Sequence, residues 1–225
     1  GIKVETSIRI PKKMQLDHGA ISDYEAMKTA GKRAHALGHP IVIDPVGVSG
    51  SSYRREKCLE LMKIIHPTCI RGNYSEIQAL LHNCGTVTGV DAAEDALAEA
   101  EETDLPELMK QYAKENQMIL VASGETDLIT DGSCVYRCHN GSPMMARITG
   151  SGCMSTVMLG AFLSAENSVE SAVACCAFTG IAGELAAKEM TAQKRGTMTF
   201  RNWFIDAVSL LTPEQLEHGT DVDWF

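Results

Sequence analysis

The segment His39-Pro40-Ile41-Val42-Ile43-Asp44 is a short apolar run that ends on an acidic residue. A continuous apolar run of this length is typical of a strand buried on both faces of a parallel sheet. The segment that follows, Ser52 to Ile65, has helical spacing of apolar residues and begins on a serine, a common start of a helix. The sequence therefore predicts a strand–helix unit here, and the same order recurs further along the chain.

The alternation continues with two more buried strands and two more helices. The predicted strands are Thr68 to Ile70 and Met118 to Ala122, and the predicted helices are Ser75 to Leu81 and Leu105 to Asn116. The acidic, alanine-rich residues Gly85 to Asp104 are interpreted as a loose excursion between them. Such alternation predicts an α/β fold with a mostly parallel central sheet and helices on both faces. We expect residues 39–43, 68–70 and 118–122 to form neighbouring parallel strands.

The second half of the chain departs from this order. Asp127 to Thr130 and Cys134 to Arg137 flank an Asp131-Gly132 turn, which predicts a β-hairpin. Ser168 to Met190 is apolar on nearly every face and is predicted to be a core helix. Phe200 to Leu211 is predicted to be the last element of the fold.

Composition excludes several classes of protein. The 225 residues include 20 basic and 29 acidic side chains, and the net charge of −9 argues against nucleic acid or anionic membrane as the main partner. A hydrophobic content of 44% and a mean hydropathy of −0.07 indicate a globular protein with a sizeable core. No apolar run is expected to reach the length of a membrane span, and no signal-peptide stretch is recognised at the N-terminus. We therefore expect a cytoplasmic protein.

The cysteines do not form a recognisable metal or disulfide pattern. There is no C-x-x-C pair, and Cys134 and Cys138 have no second pair at the spacing of a zinc site. Reduced thiols packed as small apolar groups are expected for seven of the eight cysteines. Cys153 is the exception because of its position. The eight are Cys58, Cys69, Cys84, Cys134, Cys138, Cys153, Cys175 and Cys176.

Cys153 ends the turn Thr149-Gly150-Ser151-Gly152-Cys153, which precedes the apolar stretch Met154 to Ala165. Two glycines around a serine at a helix start expose backbone N–H groups where the helix dipole favours an anion. A transferred phosphoryl group is such an anion, and a thiolate is easiest to keep in a first helical turn. The simpler alternative is that the turn serves packing alone.

Polar groups also follow each predicted strand, at the edge where ligands gather in such sheets. They are Asp44 to Gly47, Arg71 to Glu76 and Ser123 to Glu125. Each has a simpler explanation: Asp44 and Asn73 cap helices, Glu76 is solvated, and Arg71 pairs with an acid. Together with the glycine turn they supply carboxylates for Mg²⁺, an arginine for phosphate and N–H donors for a transferred group. These are the requirements of phosphoryl transfer.

From about Leu16 onward the chain resembles the hydroxyethylthiazole kinases of thiamine salvage, a family of the ribokinase-like superfamily. Asn73-x-x-Glu76 is similar to the magnesium motif of that superfamily. Most members of the superfamily carry aspartate at the position of Cys153, whereas the thiazole kinases carry cysteine there, as this chain does. The last matching segment departs from the family's G-P-G-T/S-F at Thr197, where proline is usual. The matching segments are I-D-P-V-G (43–47), I-R-G-N-x-x-E (70–76), S-G-E (123–125), T-G-S-G-C (149–153) and R-G-T-M-T-F (195–200).

The resemblance implies ATP-dependent phosphorylation of the hydroxyl of 4-methyl-5-(2-hydroxyethyl)thiazole, with Mg²⁺, by a homotrimer. It places Arg71 and Ser123 on ATP, the latter a threonine in most members. Glu76 and Asp44 are the acids expected near the metal.

The same resemblance assigns the glycine turn. Gly150 is expected to contact the thiazole alcohol, Cys153 takes the catalytic position, and Gly150 and Gly152 supply the backbone of the anion-binding turn. A pyrimidine kinase or another small-alcohol kinase is disfavoured because cysteine replaces aspartate there.

The N-terminal residues do not follow the family pattern. Residues 1–13 do not resemble its first strand–helix–strand region, and Leu16 to Ala20 replaces the family's L-N-x-G-T. We expect one ribokinase-like kinase domain over residues 1–225, atypical at 1–13 and lacking one or two strands of the family's sheet. Two hypotheses stand: an active thiazole kinase, or a catalytically impaired nucleotide-binding remnant or structural partner of such a kinase.

Overall fold

The computed structural model describes the backbone of residues 6–7, 18–84 and 105–225. The expected excursion Gly85 to Asp104 and most of residues 1–13 lie outside these ranges. The strands are β1 (Thr6–Ser7), β2 (Val42–Asp44), β3 (Cys69–Asn73), β4 (Ile119–Ser123), β5 (Asp127–Thr130), β6 (Val135–Cys138) and β7 (Val222–Trp224). The helices are α1 (His18–Ala36), α2 (Ser52–Ile65), α3 (Tyr74–Cys84), α4 (Leu105–Asn116), α5 (Ser151–Ala165), α6 (Val169–Ala192), α7 (Thr197–Leu210) and α8 (Pro213–Gly219), with a 3₁₀ helix at Pro143–Arg147.

The described strands form one seven-stranded sheet in which spatial order follows chain order. Strands β1 to β4 pair in parallel, with Val42 opposite Cys69 and Ile70 opposite Leu120. Strands β4 to β7 pair antiparallel, and β5 and β6 form the predicted hairpin. The expectation that residues 39–43, 68–70 and 118–122 contribute neighbouring parallel strands is confirmed. In the described residues the sheet is therefore mixed, with three parallel and three antiparallel strand pairs.

The apolar strands are buried on both faces because alternate side chains point to opposite sides of a sheet. Ile41 and Ile43 pack in a cluster with residues of α2, α3 and α4. Val42, between them, packs in a second cluster with residues of α5 and α6. The predicted arrangement of helices on both faces of the sheet is confirmed.

Helix α6 corrects one expectation and confirms another. With 24 residues and a mean hydropathy of 1.3 in its most apolar window, it is long and apolar enough to cross a membrane, so the expectation of no such run is wrong. Of that window, 61% is buried inside the chain, where α6 packs against α5, α7 and the sheet. Because most of this apolar helix packs against other elements, the prediction of a core helix is confirmed.

Three elements differ from the sequence prediction. Helix α1 was not expected, and β3 continues past Ile70, so that Arg71 lies within the strand rather than after it. The chain also does not end its fold at α7, because α8 follows and β7 pairs with β6. The signal for α8 was present: Thr212 and Gln215 form a capping box around Pro213 at the first helical position.

The cysteines largely behave as small apolar groups. Cys58, Cys69, Cys138, Cys175 and Cys176 are buried as free thiols, as predicted. Of the others described, Cys134 and Cys153 are partly buried and also unbridged, and the side chain of Cys84 lies outside the described residues. Burial raises the pKa of the Cys138 and Cys175 thiols to about 12, which keeps them protonated and unreactive.

Asn140 fastens the C-terminal elements to the core. Its side chain is 9% exposed, and its Nδ2 donates to Glu184 Oε1 at 3.1 Å and to Gly219 O at 2.8 Å. Its Oδ1 accepts from the Asp221 backbone N–H at 2.8 Å. One buried amide therefore joins the loop after β6 to α6 and to the start of β7.

Replacing Asn140 by Ala is expected to lower the free energy of unfolding by about 2–3 kcal/mol, because several buried partners lose their hydrogen bonds together. Urea denaturation measures the change. The matched control is Asn116→Ala, which removes one exposed bond of 2.9 Å to Tyr112 O and is expected to cost no more than about 0.5 kcal/mol. Equal shifts of the two midpoints would contradict the role assigned to Asn140.

Candidate active site

The carboxyl ends of β2 and β3 meet the amino end of α5 through the side chain of Arg71. Its Nη1 donates to Gly152 O at 3.2 Å and to Thr156 Oγ1 at 3.3 Å. The Thr156 hydroxyl donates to Asp44 Oδ2 at 2.9 Å and lies 3.0 Å from Gly152 O. The structure thus brings Arg71 and Asp44 to the predicted glycine turn, with Thr156 as the link.

Asp44 is withdrawn from water at this junction. The residue is 5% exposed, and burial raises the pKa of its carboxyl above the ordinary value. The Thr156 hydrogen bond and the charge of Arg71 act in the opposite direction, and the neighbouring Glu76 raises the pKa further. A buried carboxylate beside a second acid favours the approach of a cation.

Glu76 is fixed by two backbone N–H groups. Its Oε1 accepts from Gly47 N at 2.7 Å, and its Oε2 accepts from Asn73 N at 3.0 Å. Asn73 Oδ1 in turn accepts from Glu76 N at 2.9 Å, which completes a capping box at the start of α3. Asn73 therefore does cap a helix, whereas Glu76 is 9% exposed and is not the solvated acid of the simpler explanation.

Glycine at position 72 permits this close approach of the strand ends. A Cβ atom there would lie 3.2 Å from Glu76 Cβ and 3.2 Å from Pro45 Cγ. A side chain would therefore push Glu76 or Pro45 away, so the central glycine of Arg71-Gly72-Asn73 keeps the two acidic segments together.

Ser123 stands at the end of β4, opposite Asn73 in the sheet register. Its hydroxyl donates to Gly72 O at 3.2 Å. Residues 123–126 and 73–75 line a polar pocket of about 530 Å³. The Tyr74 hydroxyl donates to Thr126 O at 2.5 Å and closes one wall of it. Ser123 is thus beside the Arg71 strand, on the rim of a pocket.

The glycine turn forms a helix start without a side-chain cap. Gly150 is the N-cap of α5 with φ +96°, a conformation that favours glycine, and no side chain caps the helix. The first helical bond runs from Met154 N to Gly150 O at 2.9 Å. The N–H groups of residues 151–153 precede it and are the orphan donors of a helix start. A Cβ atom added to Gly152 would lie 3.8 Å from Arg71 Nη1.

Cys153 is partly buried in the first turn of α5 and borders a different surface from Gly152. It lines an apolar groove of about 420 Å³ between α5 and α7. The other lining residues are Met154, Val157, Met158, Phe204, Ile205 and Val208. The first turn of α5 therefore has the Arg71 junction on one side and an apolar surface on another.

Two residues of this region were missed by sequence reasoning. Thr156 lies one helical turn after Gly152, and that spacing of four was the available signal. Asp127 begins β5, and its Oδ1 accepts from Gly124 N at 3.0 Å. Burial raises the pKa of Asp127, against the Gly124 hydrogen bond and the charge of Arg71. No sequence pattern pointed to Asp127, because its neighbours come from other elements.

The two acids fit one mode of magnesium binding. Among the residues that the structure describes, no group of three or more His, Cys, Asp or Glu side chains could hold a metal by itself. Mg²⁺ is commonly held by one or two carboxylates, with waters and substrate phosphates completing its ligands. Asp44 and Glu76 at one edge of the sheet suit a metal shared with a bound phosphate.

Comparison with known proteins places these residues in a family. The model of the hydroxyethylthiazole kinase family matches residues 3–214, which contain every motif described above. The chain is 34% identical over 220 residues to the hydroxyethylthiazole kinase of Clostridium acetobutylicum, covering 96% of this chain and 80% of that one. It is 38% identical over 200 residues to that of Desulforudis audaxviator, covering 88% and 70%.

A solved structure gives the same result for the fold. The hydroxyethylthiazole kinase protein from Pyrococcus horikoshii OT3 matches with a TM-score of 0.75 at 27% identity, over 94% of this chain and 74% of that one. The α/β fold expected from the sequence is confirmed. With its matched motifs gathered at one edge of the sheet, the chain belongs to the hydroxyethylthiazole kinase family.

Proposed function

We propose that the chain transfers a phosphoryl group from ATP to the hydroxyl of 4-methyl-5-(2-hydroxyethyl)thiazole in thiamine biosynthesis or salvage. The observation that carries the proposal is the junction of Arg71 with the uncapped amino end of α5. Family membership supplies the acceptor alcohol and the nucleotide. The Arg71 junction and the family membership agree, since a guanidinium beside backbone N–H donors suits a phosphate in transfer.

The backbone and Arg71 supply most of the electrostatic stabilisation. Charge develops on the phosphoryl oxygens during transfer, and fixed donors at that position lower the barrier. We assign this to the N–H groups of residues 151–153, with Gly150 also contacting the alcohol. Arg71 and Ser123 bind the nucleotide phosphates from the strand side. Their places on adjacent strands support that assignment.

Asp44 and Glu76 would hold Mg²⁺. When bound, the ion would neutralise charge on the nucleotide phosphates. Two backbone hydrogen bonds fix the Glu76 carboxylate, and Thr156 orients that of Asp44. Both carboxylates are therefore already ordered before a cation binds.

Cys153 is assigned to the acceptor alcohol. A thiol is a poor base for an alkanol at neutral pH, so Cys153 orients the hydroxyl at least as much as it accepts its proton. The apolar groove beside it offers a surface suited to a small heteroaromatic ring. The alcohol would then sit between Cys153 and the donors of the turn.

The same proposal covers the setting of the enzyme. We propose one ribokinase-like kinase domain over residues 1–225, acting as a cytoplasmic homotrimer, with light scattering as the test of assembly. The net charge of −9 supports small-molecule partners over nucleic acid and anionic membranes.

A coupled assay with purified protein, the thiazole alcohol and Mg-ATP tests the activity. Turnover that depends on all three components is the expected result. Nucleotide binding without turnover would overturn the proposal in favour of an impaired remnant or a structural partner of such a kinase.

Arg71→Ala is expected to weaken ATP binding by about 1.5–3 kcal/mol, the value of a charge-assisted contact to phosphate. Binding of the thiazole alcohol should change less, because Arg71 lies on the nucleotide side. Calorimetry with each ligand measures both. Arg137→Ala is the matched control, since it removes an exposed arginine paired with Asp223 on β6 and β7. Equal loss of both ligands in Arg71→Ala would refute the assignment.

Asp44→Asn is expected to raise the Mg²⁺ concentration required for turnover by roughly tenfold, the equivalent of one 1.4 kcal/mol interaction. The raised pKa means that folded Asp44 holds its proton more tightly than unfolded Asp44. Its ionisation therefore lowers the free energy of unfolding as pH rises through the folded pKa. The amide removes this loss, so the variant should gain stability above that pKa and little below it.

Magnesium titrations of turnover and urea unfolding at acid and neutral pH measure the two effects of Asp44→Asn. The amide oxygen still accepts from Thr156, which keeps the local packing comparable. A lower stability at neutral pH would contradict the predicted gain of stability, and an unchanged Mg²⁺ requirement would contradict the metal assignment of Asp44.

Cys153→Ser is expected to keep the fold and ATP affinity, because the backbone donors of the turn remain. Turnover should fall, typically by 10²–10⁴-fold where general-base assistance is lost. A loss within about tenfold would indicate orientation of the alcohol alone. Cys134→Ser, at another partly buried cysteine outside the site, is the matched control.

Cys153→Asp introduces the residue of the wider superfamily and is expected to remain folded and active. If Cys153 served packing alone, a charge there would unfold the chain and serine would leave turnover unchanged. Thermal melts and turnover of both variants separate these cases. An unfolded aspartate variant would count against the catalytic assignment.

A further inference from the structure

Asp127 is an acid of the site region that the proposed mechanism leaves without a role. It begins β5 on the sheet face of Ile129 and Cys138, which pack against α5 and α6. Strand alternation places the side chains of Arg71 and Asp44 on that same face, since Cys69 and Val42 belong to the same cluster. Three charged groups therefore share one face of the sheet.

The first connection of Asp127 is to the pocket loop, defined as residues 123–126. Asp127 Oδ1 accepts from Gly124 N at 3.0 Å, and Tyr74 holds the other end of the loop at Thr126 O. Gly124 lies against the Tyr74 ring, where a Cβ would come within 3.0 Å. The loop is therefore fastened at both ends, and it carries Ser123 and lines the polar pocket.

The second connection is to Arg71. Burial raises the pKa of Asp127 and of Asp44, and the guanidinium charge of Arg71 acts against that rise at both carboxyl groups. β2 lies on one side of β3, and β5 lies beyond β4 on the other. Arg71 thus has an acid on each side along the sheet, and its guanidinium is directed to the amino end of α5 between them.

We propose that Asp127 is a positioning residue of the nucleotide site, shaping the pocket loop through Gly124 and balancing the charge of Arg71 from the β5 side of the sheet. The inference rests on the proposed function, because it assumes that ATP binds at Arg71 and Ser123. Asp127 contacts no reacting atom in this role. Its effect should therefore appear in the affinity for nucleotide rather than in the chemical step.

Asp127→Asn and Asp127→Ala separate the two connections. Asparagine keeps an oxygen that accepts from Gly124 N but carries no charge, whereas alanine removes both the hydrogen bond and the charge. We expect the KM and Kd for Mg-ATP to rise about fivefold in Asp127→Asn and tenfold or more in Asp127→Ala, as lost charged hydrogen bonds typically give. The KM for the thiazole alcohol and kcat at saturating ATP should stay within about twofold.

A double-mutant cycle tests whether the charge acts through Arg71. In an Arg71→Ala background, Asp127→Asn should change the Kd for Mg-ATP by less than about twofold, since residues that act together are not additive. The matched control is Asp131→Asn, because Asp131 Oδ1 also accepts a backbone N–H, that of Ser133 at 2.9 Å, but in the hairpin turn. It should leave both KM values unchanged.

An unchanged KM for Mg-ATP in folded Asp127→Asn, with only a lowered unfolding midpoint, would overturn the inference and leave Asp127 a structural residue. Asp127→Asn decides the question even where Asp127→Ala does not fold. Failure of the unsubstituted chain to bind Mg-ATP would overturn the proposed function and the inference together. If the unsubstituted chain binds Mg-ATP with the same Kd as the Asp127 variants, the inference is overturned but the proposed function is not.

Discussion

The contact of Arg71 with the amino end of α5 brings two positive groups together. The start of a helix carries the positive end of its dipole, and Gly152 and Arg71 place a guanidinium beside it. Such an arrangement is unfavourable away from water unless acids compensate it, and Asp44 and Asp127 lie in the field of Arg71. The balance is local, because Arg71 contacts the first turn of α5 while the two acids lie on strands of the same sheet. A phosphate that binds here, as we propose, would meet donors and a cation that the fold already holds in place.

The mixed sheet is what makes this arrangement possible. Its parallel half brings the carboxyl ends of β2, β3 and β4 to one edge, as the alternation of strands and helices requires. After β4 the chain returns through a hairpin connection instead of a helix, so residues 124–126 stay at that edge. Asp127 then enters β5 directly beside them. The antiparallel half thus contributes a loop and an acid that a further crossover helix would have carried away from the site.

Local patterns predicted the elements that local physics determines. The bounds of α4 and the hairpin follow from apolar spacing and an Asp-Gly turn, and the structure agrees. The extension of β3 through Arg71-Gly72-Asn73 could not be foreseen, because glycine and asparagine disfavour strands and only pairing with β4 holds them extended. Thr156 and Asp127 were missed for a related reason. Each acquires its neighbours from another element, and single-chain spacing does not report contacts between elements.

Glu76 shows that a structural and a functional role need not compete. Its capping box with Asn73 stabilises the start of α3, and its bond to Gly47 joins the loop after β2 to that helix. Each carboxylate oxygen uses one acceptor site and keeps another, so the group can still face a cation. Because the side chain is already ordered, binding would cost it little further conformational entropy. The bonds that give Glu76 a structural role are therefore the same ones that would order it for the metal binding we propose.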